Sequence, residues 1–256
     1  IPDTGKFHAF CIGAVNSGSG KTTISLAIMR ALVRRGINVR PFKCGPDYID
    51  PTYHTKATGT KSFNLDTWMM GDVGVFNSWK KNCYGYEAAV IEGVMGLFDG
   101  RMPSSLEGST ADCARILKVP VVLVVDVHGM AGSIAPLVAG FSNFNSDVEV
   151  CGIIGNRVGS KGHTDILARS LQDAGLPPFL GAFPRDSRFV LRERHLGLVP
   201  FQENDIGDEW FDMLADEAEK YISIDRLLEV TSTSRPLYRS QQDKCRLGKI
   251  SVAYDK

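Results

Sequence analysis

The chain has 256 residues, of which 43% are hydrophobic, and Lys plus Arg and Asp plus Glu both total 29. This composition excludes a disordered chain, and the balanced charge gives no overall field that would favour nucleic acid or a membrane surface. The sequence has no run of eighteen apolar residues and no charged-then-apolar leader, so neither a membrane span nor a signal peptide is expected. Six scattered cysteines without a CxxC pair indicate reduced, buried thiols and a cytoplasmic location.

Short apolar segments alternate with helical patterns along most of the chain. The predicted strands are Phe7–Val15, Ile37–Phe42, Ala88–Glu92, Val119–Val127, Val150–Ile154 and Phe179–Ala182. The predicted helices are Thr22–Arg34, Thr110–Leu117, Ser133–Phe141 and His163–Asp173, followed by Asn204–Lys220 and Asp225–Glu229. Alternation of apolar strands and helices predicts an α/β fold, a doubly wound and mainly parallel sheet with helices on both faces. Ligands of such a sheet bind at the carboxyl ends of its strands.

The first strand-to-helix turn, Gly13–Thr23, reads GAVNSGSGKTT and predicts a phosphate-binding loop, although Val15 stands where the strict pattern has glycine. Such a turn directs backbone N–H groups and a helix N-terminus at phosphates. Lys21 would add positive charge, and the Thr22 hydroxyl would bind Mg²⁺. The predicted nucleotide contacts are Asn16, Ser17, Gly18, Gly20, Lys21, Thr22 and Thr23.

The second predicted strand is followed by a turn that contains one lysine and two carboxylates, within Lys43–Pro51. This turn should lie at the same sheet edge as the phosphate-binding loop. Lys43 could therefore stabilise a transferring phosphoryl group, and Asp47 could hold Mg²⁺. The alternative is a polar turn in which the aspartates cap the next segment.

Glu92 ends the third predicted strand and opens the glycine-rich segment EGVMGLFDG. A carboxylate at this position is the usual second anchor for nucleotide-bound Mg²⁺, and a solvated side chain is the alternative. Asp99 in the same segment could contact substrate or water. Asp126, which ends the most apolar strand, is left open between a site residue and a solvated one.

Asn156 and Arg157 follow the fifth predicted strand, where a base-recognition loop is expected. Gly159 occupies the position at which GTPases carry a guanine-pairing aspartate, so ATP is the expected nucleotide. His54, His128 and His163 have no metal-ligand spacing with any cysteine, and no zinc site is expected.

The motifs SGSGKTT, PFKCGPDYIDPTYH, IEGVMGLFDG, NRVGS and LRERHLGLVP occur in this order between about Ala9 and Pro200. Together they resemble the cobyrinate a,c-diamide synthase family. The resemblance implies a P-loop NTPase fold like that of dethiobiotin synthetases and the ATP- and Mg²⁺-dependent amidation of the a and c acetates of a corrin. The reaction would pass through an acyl phosphate, and a C-terminal glutaminase domain would supply ammonia from glutamine.

The residues carry over to this reaction as four groups. Lys21, Lys43, Asp47 and Glu92 would be catalytic, and Thr22, Asp47 and Glu92 would bind Mg²⁺. Tyr48, Asp50 and Asp99 would position the tetrapyrrole side chain, and Asn156 and Arg157 would contact the nucleotide.

Several alternatives remain open for the acceptor and for the function. Hydrogenobyrinate, sirohydrochlorin or sirohaem could replace cobyrinate as the acceptor. A ParA/MinD-like ATPase switch is disfavoured because Asn16 stands at its signature lysine position, and the segment Cys44–His54 disfavours a dethiobiotin synthetase. The partners expected are a tetrapyrrole and ammonia from a glutaminase domain, and the sequence leaves open whether the chain forms a homodimer. Neither nucleic acid nor a membrane is expected as a partner.

The sequence also suggests a division into parts. Residues 1–200 would form the ATP-binding amidoligase core, 201–230 a helical extension, and 231–256 a linker with the start of a truncated glutaminase domain. The chain begins at Ile1 and finishes on the strand-like segment 248–256. We therefore expect one part of a longer protein.

Overall fold

The computed structural model describes residues 6–189, 191, 193–194, 197–198 and 206–233. The strands are β1 (Phe7–Ala14), β2 (Val39–Cys44), β3 (Phe63–Leu65), β4 (Ala88–Glu92), β5 (Val121–Asp126), β6 (Val150–Val158), β7 (Phe179–Pro184), β8 (Glu193–Arg194), β9 (Gly197–Leu198) and β10 (Ser232–Thr233). The helices are α1 (Lys21–Arg34), α2 (Asp50–Thr58), α3 (Thr67–Asn82), α4 (Thr110–Leu117), α5 (Ile134–Asn143), α6 (Lys161–Asp173), α7 (Asp208–Tyr221) and α8 (Ile224–Val230). Among the described helices, none is long and apolar enough to cross a membrane.

The main sheet has the strand order β3-β2-β4-β1-β5-β6-β7, and all neighbours along this path are parallel. The short strand β10 adds an antiparallel partner to the beginning of β1. The predicted doubly wound α/β fold is therefore confirmed. The carboxyl ends of β1, β2 and β4 lie side by side in the middle of the sheet, where this topology places ligands.

Two hydrophobic cores lie on opposite faces of the sheet, and β1 contributes to both in alternation. Ala9 and Cys11 belong to one core, whereas Phe10 and Ile12 belong to the other. This period of two is the geometry of a strand covered on both faces.

Helix α1 is buried on nearly all sides because it lies between the sheet and α7. The apolar face of α7, with Phe211 and Leu214, packs in the same core, and ion pairs join Arg30 to Asp212 and Arg34 to Asp216. The division at residue 200 stays a prediction, and residues 234–256 lie outside the described part of the chain.

Three cysteines meet in the core on the other face of the sheet. Cys11 of β1, Cys44 of β2 and Cys113 of α4 are fully or almost fully buried, and their Sγ atoms all lie within 4.8 Å of one another. Gly93 lets α4 approach the strand ends here, since a Cβ atom on it would lie 2.5 Å from Oγ1 of Thr110. We refer to Cys11, Cys44 and Cys113 as the thiol cluster.

The structure corrects three local predictions. Lys43 belongs to β2 and not to the following turn, and Asp50 is the first residue of α2. Asn156 and Arg157 lie within β6, which continues to Val158. The sequence interpretation also missed α2, β3 and α3 between the second and third predicted strands.

Candidate active site

The loop between β1 and α1 has the backbone of a phosphate-binding turn. Gly18 and Gly20 have φ angles of 79° and 92°, in the left-handed region that favours glycine. A Cβ atom on Gly20 would lie 2.1 Å from Nδ2 of Asn156, so only glycine fits this position. No side chain of the described residues caps the N-terminus of α1, and its first N–H groups are directed to where an anion would bind.

Side chains within and behind this loop hold it in shape. The Ser19 hydroxyl donates to the carbonyl oxygen and to Oδ1 of Asn16, at 2.9 and 2.7 Å. Asn156 donates from Nδ2 to the Ser19 carbonyl at 2.8 Å, and Arg157 donates to the Gly18 carbonyl at 3.0 Å. Arg157 also pairs with Asp126. Asn156 and Arg157 thus contact the phosphate-binding loop itself, and base recognition by these residues stays a prediction.

A buried network of charged and polar groups joins this loop to the ends of β2 and β4. Glu92 Oε1 accepts hydrogen bonds from Thr22 Oγ1 at 2.6 Å and from Lys43 Nζ at 3.0 Å. Its other oxygen, Oε2, lies 2.6 Å from Nε2 of His54. Lys43 Nζ also donates to Asp50 at 2.5 Å. The structure therefore brings together four residues that the sequence placed in the site and adds His54, which it did not.

The pKa values of this network follow from burial and charge together. Burial opposes the charged form of Lys43, but the attraction of Glu92 and Asp50 outweighs it and raises the Lys43 pKa. Burial would raise the pKa of Glu92, yet Lys43, His54 and Thr22 hold that pKa well below its usual range. Burial and the neighbouring Glu92 raise the pKa of Asp50 to about 7, against the opposing effect of Lys43. Lys43 and Glu92 therefore both stay ionised, whereas the charged form of Asp50 is disfavoured although its carboxylate contacts Lys43.

Lys21 begins α1 and reaches across to the segment after β4. Its Nζ atom donates to the carbonyl of Met95 at 2.5 Å, and burial lowers the pKa of its ammonium group. Met95 has a φ of 46°, an uncommon value for a residue with a side chain. The backbone at Met95 thus turns its carbonyl towards the lysine.

The remaining predicted substrate and metal residues differ in their surroundings. Asp47 Oδ1 accepts the N–H groups of Ile49 and Asp50 at 2.7 and 3.0 Å, and Oδ2 lies 3.8 Å from Lys43 Nζ. Tyr48 is 82% exposed. Asp99 accepts the N–H of Gly96 at 2.7 Å, which fixes the loop after β4.

Most of these groups line one open cleft of about 1200 Å³. The phosphate-binding loop and the start of α1 contribute the lining residues Ser17, Gly18, Gly20, Lys21, Thr22 and Thr23. The end of β2 and the segment after it contribute Lys43, Asp47, Tyr48 and Asp50, and the ends of β4 and β6 contribute Glu92, Asn156 and Arg157. Asn16 and Asp99 are not among the described lining residues. Arg185 and Asp186, after β7, also line the cleft, and the sequence interpretation missed them because no motif marks that segment.

The oxygen atoms of the cleft suit a hard divalent cation. Thr22 Oγ1 and Glu92 Oε1 lie 2.6 Å apart at the N-terminus of α1, and an oxygen of Asp47 faces Lys43 nearby. Mg²⁺ favours a few carboxylate and hydroxyl ligands together with phosphate oxygens. The donor set therefore fits Mg²⁺, with Thr22, Glu92 and Asp47 as the residues that would hold it.

Curated proteins include relatives that are similar to this chain in sequence. The chain is 41% identical over 248 residues to a cobyrinate a,c-diamide synthase of Syntrophotalea carbinolica, covering 95% of this chain and 54% of the relative. It is 48% identical over 225 residues to a hydrogenobyrinate a,c-diamide synthase of Brucella anthropi, covering 87% and 51%. The chain thus spans about half the length of the curated relatives that it matches.

Among solved structures, chloroplast FtsY from Physcomitrella patens is similar in fold, with a TM-score of 0.51 and 14% identity, covering 81% of this chain and 65% of that one. This similarity concerns the fold alone. Residues 10–198 match the family described as the CobQ/CobB/MinD/ParA nucleotide binding domain, a span that contains the phosphate-binding loop, Lys43, Glu92 and Asn156. The chain belongs to this family of nucleotide-binding domains.

Proposed function

We propose that this chain carries the synthetase activity of a cobyrinate or hydrogenobyrinate a,c-diamide synthase. The observation that carries the proposal is the buried Lys43–Glu92–Asp50 network, which touches Thr22 of the phosphate-binding loop and lies beside the exposed Tyr48. Relatives with both names share 38–48% of their residues with this chain over the matched regions.

The reaction would activate an acetate carboxylate with ATP. A carboxylate oxygen of the tetrapyrrole bonds to the γ-phosphorus and ADP leaves, which gives an acyl phosphate. The nitrogen of ammonia then bonds to the acyl carbon, phosphate leaves and a proton is lost. An ionised carboxylate is already a nucleophile, so the site needs charge stabilisation more than a general base.

The residues have distinct roles in this proposal. Lys21 and Lys43 offset the repulsion between the two anionic substrates with their positive charges. Hydrogen bonds to the Met95 carbonyl and to Asp50 hold the two ammonium groups in the cleft. Glu92, Thr22 and Asp47 hold Mg²⁺, which supplies charge neutralisation of the phosphates when bound. Tyr48, Asp50 and Asp99 are proposed to position the acceptor, with Asp99 acting through the loop that it fixes.

The remaining proposals concern the nucleotide and the rest of the protein. ATP is favoured over GTP because Gly159 offers no side chain that could pair with guanine. A glutaminase domain would supply ammonia, and the a and c acetates would both be amidated. The protein would act in the cytoplasm, as a single copy or as a homodimer.

The test is a mass-spectrometric assay with MgATP, ammonium and a panel of tetrapyrroles: cobyrinate, hydrogenobyrinate, sirohydrochlorin and sirohaem. Each conversion of a carboxylate to an amide lowers the product mass by a fixed small amount, so the product identifies the acceptor and the number of amidations. If no tetrapyrrole gave product, the amidation proposal would be wrong, and only the nucleotide-binding assignment would stand.

A ParA/MinD-like ATPase switch is the competing function, since these proteins share the family description. Asn16 disfavours it, because the side chain bonds within the loop where the switch proteins carry a lysine. ATP turnover stimulated by DNA, lipid vesicles or a partner protein, and not by a tetrapyrrole with ammonium, would favour the switch.

A further inference from the structure

An exposed apolar surface adjoins the cleft on the side of β3. Trp68 and Met69, in the first turn of α3, are 52% and 67% exposed, and Met95 on the loop after β4 is 56% exposed. Large apolar side chains scattered singly on a surface are ordinary, but several that converge beside a cleft indicate a binding surface.

These side chains extend from one junction of the backbone. The Gly45 N–H donates to the Leu65 carbonyl at 3.0 Å, and a Cβ atom on Gly45 would lie 3.8 Å from the side chain of Val94. Tyr48 lies three residues after Gly45, and Trp68 lies three residues after Leu65. Met95 directly follows Val94. Three residues span at most about 10 Å, so the Cα atoms of Tyr48, Trp68 and Met95 each lie within about 10 Å of this junction, and Tyr48 and Met95 line the cleft.

The first turn of α3 is held rigidly while its side chains stay exposed. Asp66 accepts the N–H groups of Trp68 and Met69 at 2.9 and 3.0 Å. Thr67 Oγ1 accepts the N–H of Gly108 at 2.9 Å, and Gly71 interrupts the helix with a φ of 62°. The backbone of this turn is therefore fixed by the Asp66 cap, by the hydrogen bond to Thr67 and by the break at Gly71, while the Trp68 ring and the Met69 thioether stay exposed to solvent.

A cation accompanies this apolar surface. The Arg101 guanidinium carbon lies 4.1 Å from the centre of the Trp68 ring. Its side chain is 51% exposed, and its ion pair with the equally exposed Glu107, at 3.9 Å, is long, so among the described residues most of its donors have no acceptor. An aromatic ring with a stacked guanidinium presents both an apolar face and carboxylate-binding donors.

We infer that Tyr48, Met95, Trp68 and Arg101 form a platform for the macrocycle of the acceptor, a flat apolar ring system that bears several carboxylates. The inference rests on the proposed function and adds how the acceptor is held. Neighbouring strands lie about 4.8 Å apart, so the ends of β3 and β4, with β2 between them, are about 10 Å apart. A macrocycle about 10 Å wide can therefore contact Trp68, after β3, while one of its acetate groups enters the cleft at Lys43. Arg101 pairs with a side-chain carboxylate that is not being amidated.

The test measures tetrapyrrole affinity directly, by equilibrium dialysis of the chain with cobyrinate or hydrogenobyrinate in the absence of ATP. Trp68→Ala and Arg101→Gln should each raise the Kd for the tetrapyrrole about tenfold, and Arg101→Lys should fall between wild type and Arg101→Gln. The Kd for ATP should stay unchanged in every variant, which also shows that the variants are folded. Phe76→Ala is the matched control, because Phe76 is an exposed aromatic residue of the same helix beyond the Gly71 break.

The outcomes separate this inference from the proposed function. A wild-type chain that neither binds nor amidates any tetrapyrrole would overturn both. A wild-type chain that forms amide, together with unchanged tetrapyrrole Kd values for Trp68→Ala and Arg101→Gln, would overturn the platform alone. An equal loss with Phe76→Ala would show that the loss of affinity is not specific to the platform. A change of sedimentation without a change of Kd would assign the surface to another protein chain, and either result would likewise overturn the platform.

Discussion

The ends of β2 and β4 have two faces of opposite character. On one face, Lys43 and Glu92 form a buried ion pair that opens on the cleft. On the other face, Cys44, the residue next to Lys43, meets Cys11 and Cys113 in the thiol cluster. Successive residues of a strand point to opposite sides, so a single peptide unit separates a charged site from an apolar core.

The difference shows two ways of burying groups that could ionise. Burial raises the pKa of the Cys11 thiol, and hydrogen bonding to Cys11 and Cys44, together with burial, raises that of Cys113, so these two thiols stay neutral and pack as small hydrophobic groups. Hydrogen bonds from the same two thiols lower the pKa of Cys44, which makes it the acceptor of the thiol cluster. On the charged face, mutual attraction between Lys43 and Glu92 outweighs the cost of burial and both stay ionised. Removing one partner should therefore be costly on the charged face and mild on the thiol face.

The largest effect is expected from Glu92→Gln. The substitution keeps the shape of the side chain but removes the charge that would hold Mg²⁺ beside Thr22, so ATP-dependent amide formation should fall by about 10³-fold or more. Product formation with ammonium as nitrogen donor is the measurement. Glu149→Gln, at an exposed position, is the control, and full activity of Glu92→Gln would remove the metal assignment.

Lys21→Ala should lower amide formation by about 10²- to 10³-fold, because it removes the cation that begins α1 beside the phosphate-binding loop. ATP affinity, measured by calorimetry, should fall as well. Lys161 is the matched control, since it is an exposed lysine at the first position of α6. Unchanged ATP affinity in Lys21→Ala would contradict the phosphate role.

Lys43→Met tests the energetic side of the comparison. It leaves Glu92 and Asp50 buried without their cation, so the free energy of unfolding should fall by about 3–5 kcal/mol in a urea titration. Lys56→Met, at the exposed pair with Asp208, should cost at most about 1 kcal/mol. If both variants lost the same free energy of unfolding, the buried ion pair would stabilise the fold no more than the exposed pair does.

A smaller effect is expected at His54, which contacts Glu92 and lies 3.1 Å from Ser62 Oγ. His54→Leu removes the hydrogen bond that orients Glu92, and amide formation should fall about tenfold. His54→Gln, which restores a polar atom near the position of Nε2, should recover part of the activity. Identical rates for the Leu and Gln variants would indicate that His54 only fills space.

The smallest effect is expected on the thiol face. Cys113→Ala should lower the free energy of unfolding by about 1–2 kcal/mol through a small cavity, and the specific activity should stay unchanged. Loss of activity at unchanged stability would show that the two faces of the strands are coupled.

The sequence predicted the sheet and the phosphate-binding loop well because their signals are local. Apolar runs mark β1, β4 and β5, and the SGSGKTT segment marks the start of α1. Helix α3 was missed since its apolar residues are largely exposed and Gly71 breaks its period. His54 was missed as a site residue because its partner Glu92 lies 38 positions away, a contact that only the tertiary fold creates.

The pairing of β10 with β1 has a consequence for how the chain folds. Phe7 pairs with Thr233, and His8 Nδ1 lies 2.8 Å from the Leu228 carbonyl, 220 positions along the chain. The ion pair between Arg34 and Asp216 spans 182 positions. Contacts of such sequence separation require closure of long loops before they contribute, which slows folding. β1 and α1 therefore gain their last tertiary contacts only after residues 216–233, near the end of the described chain, have folded against them.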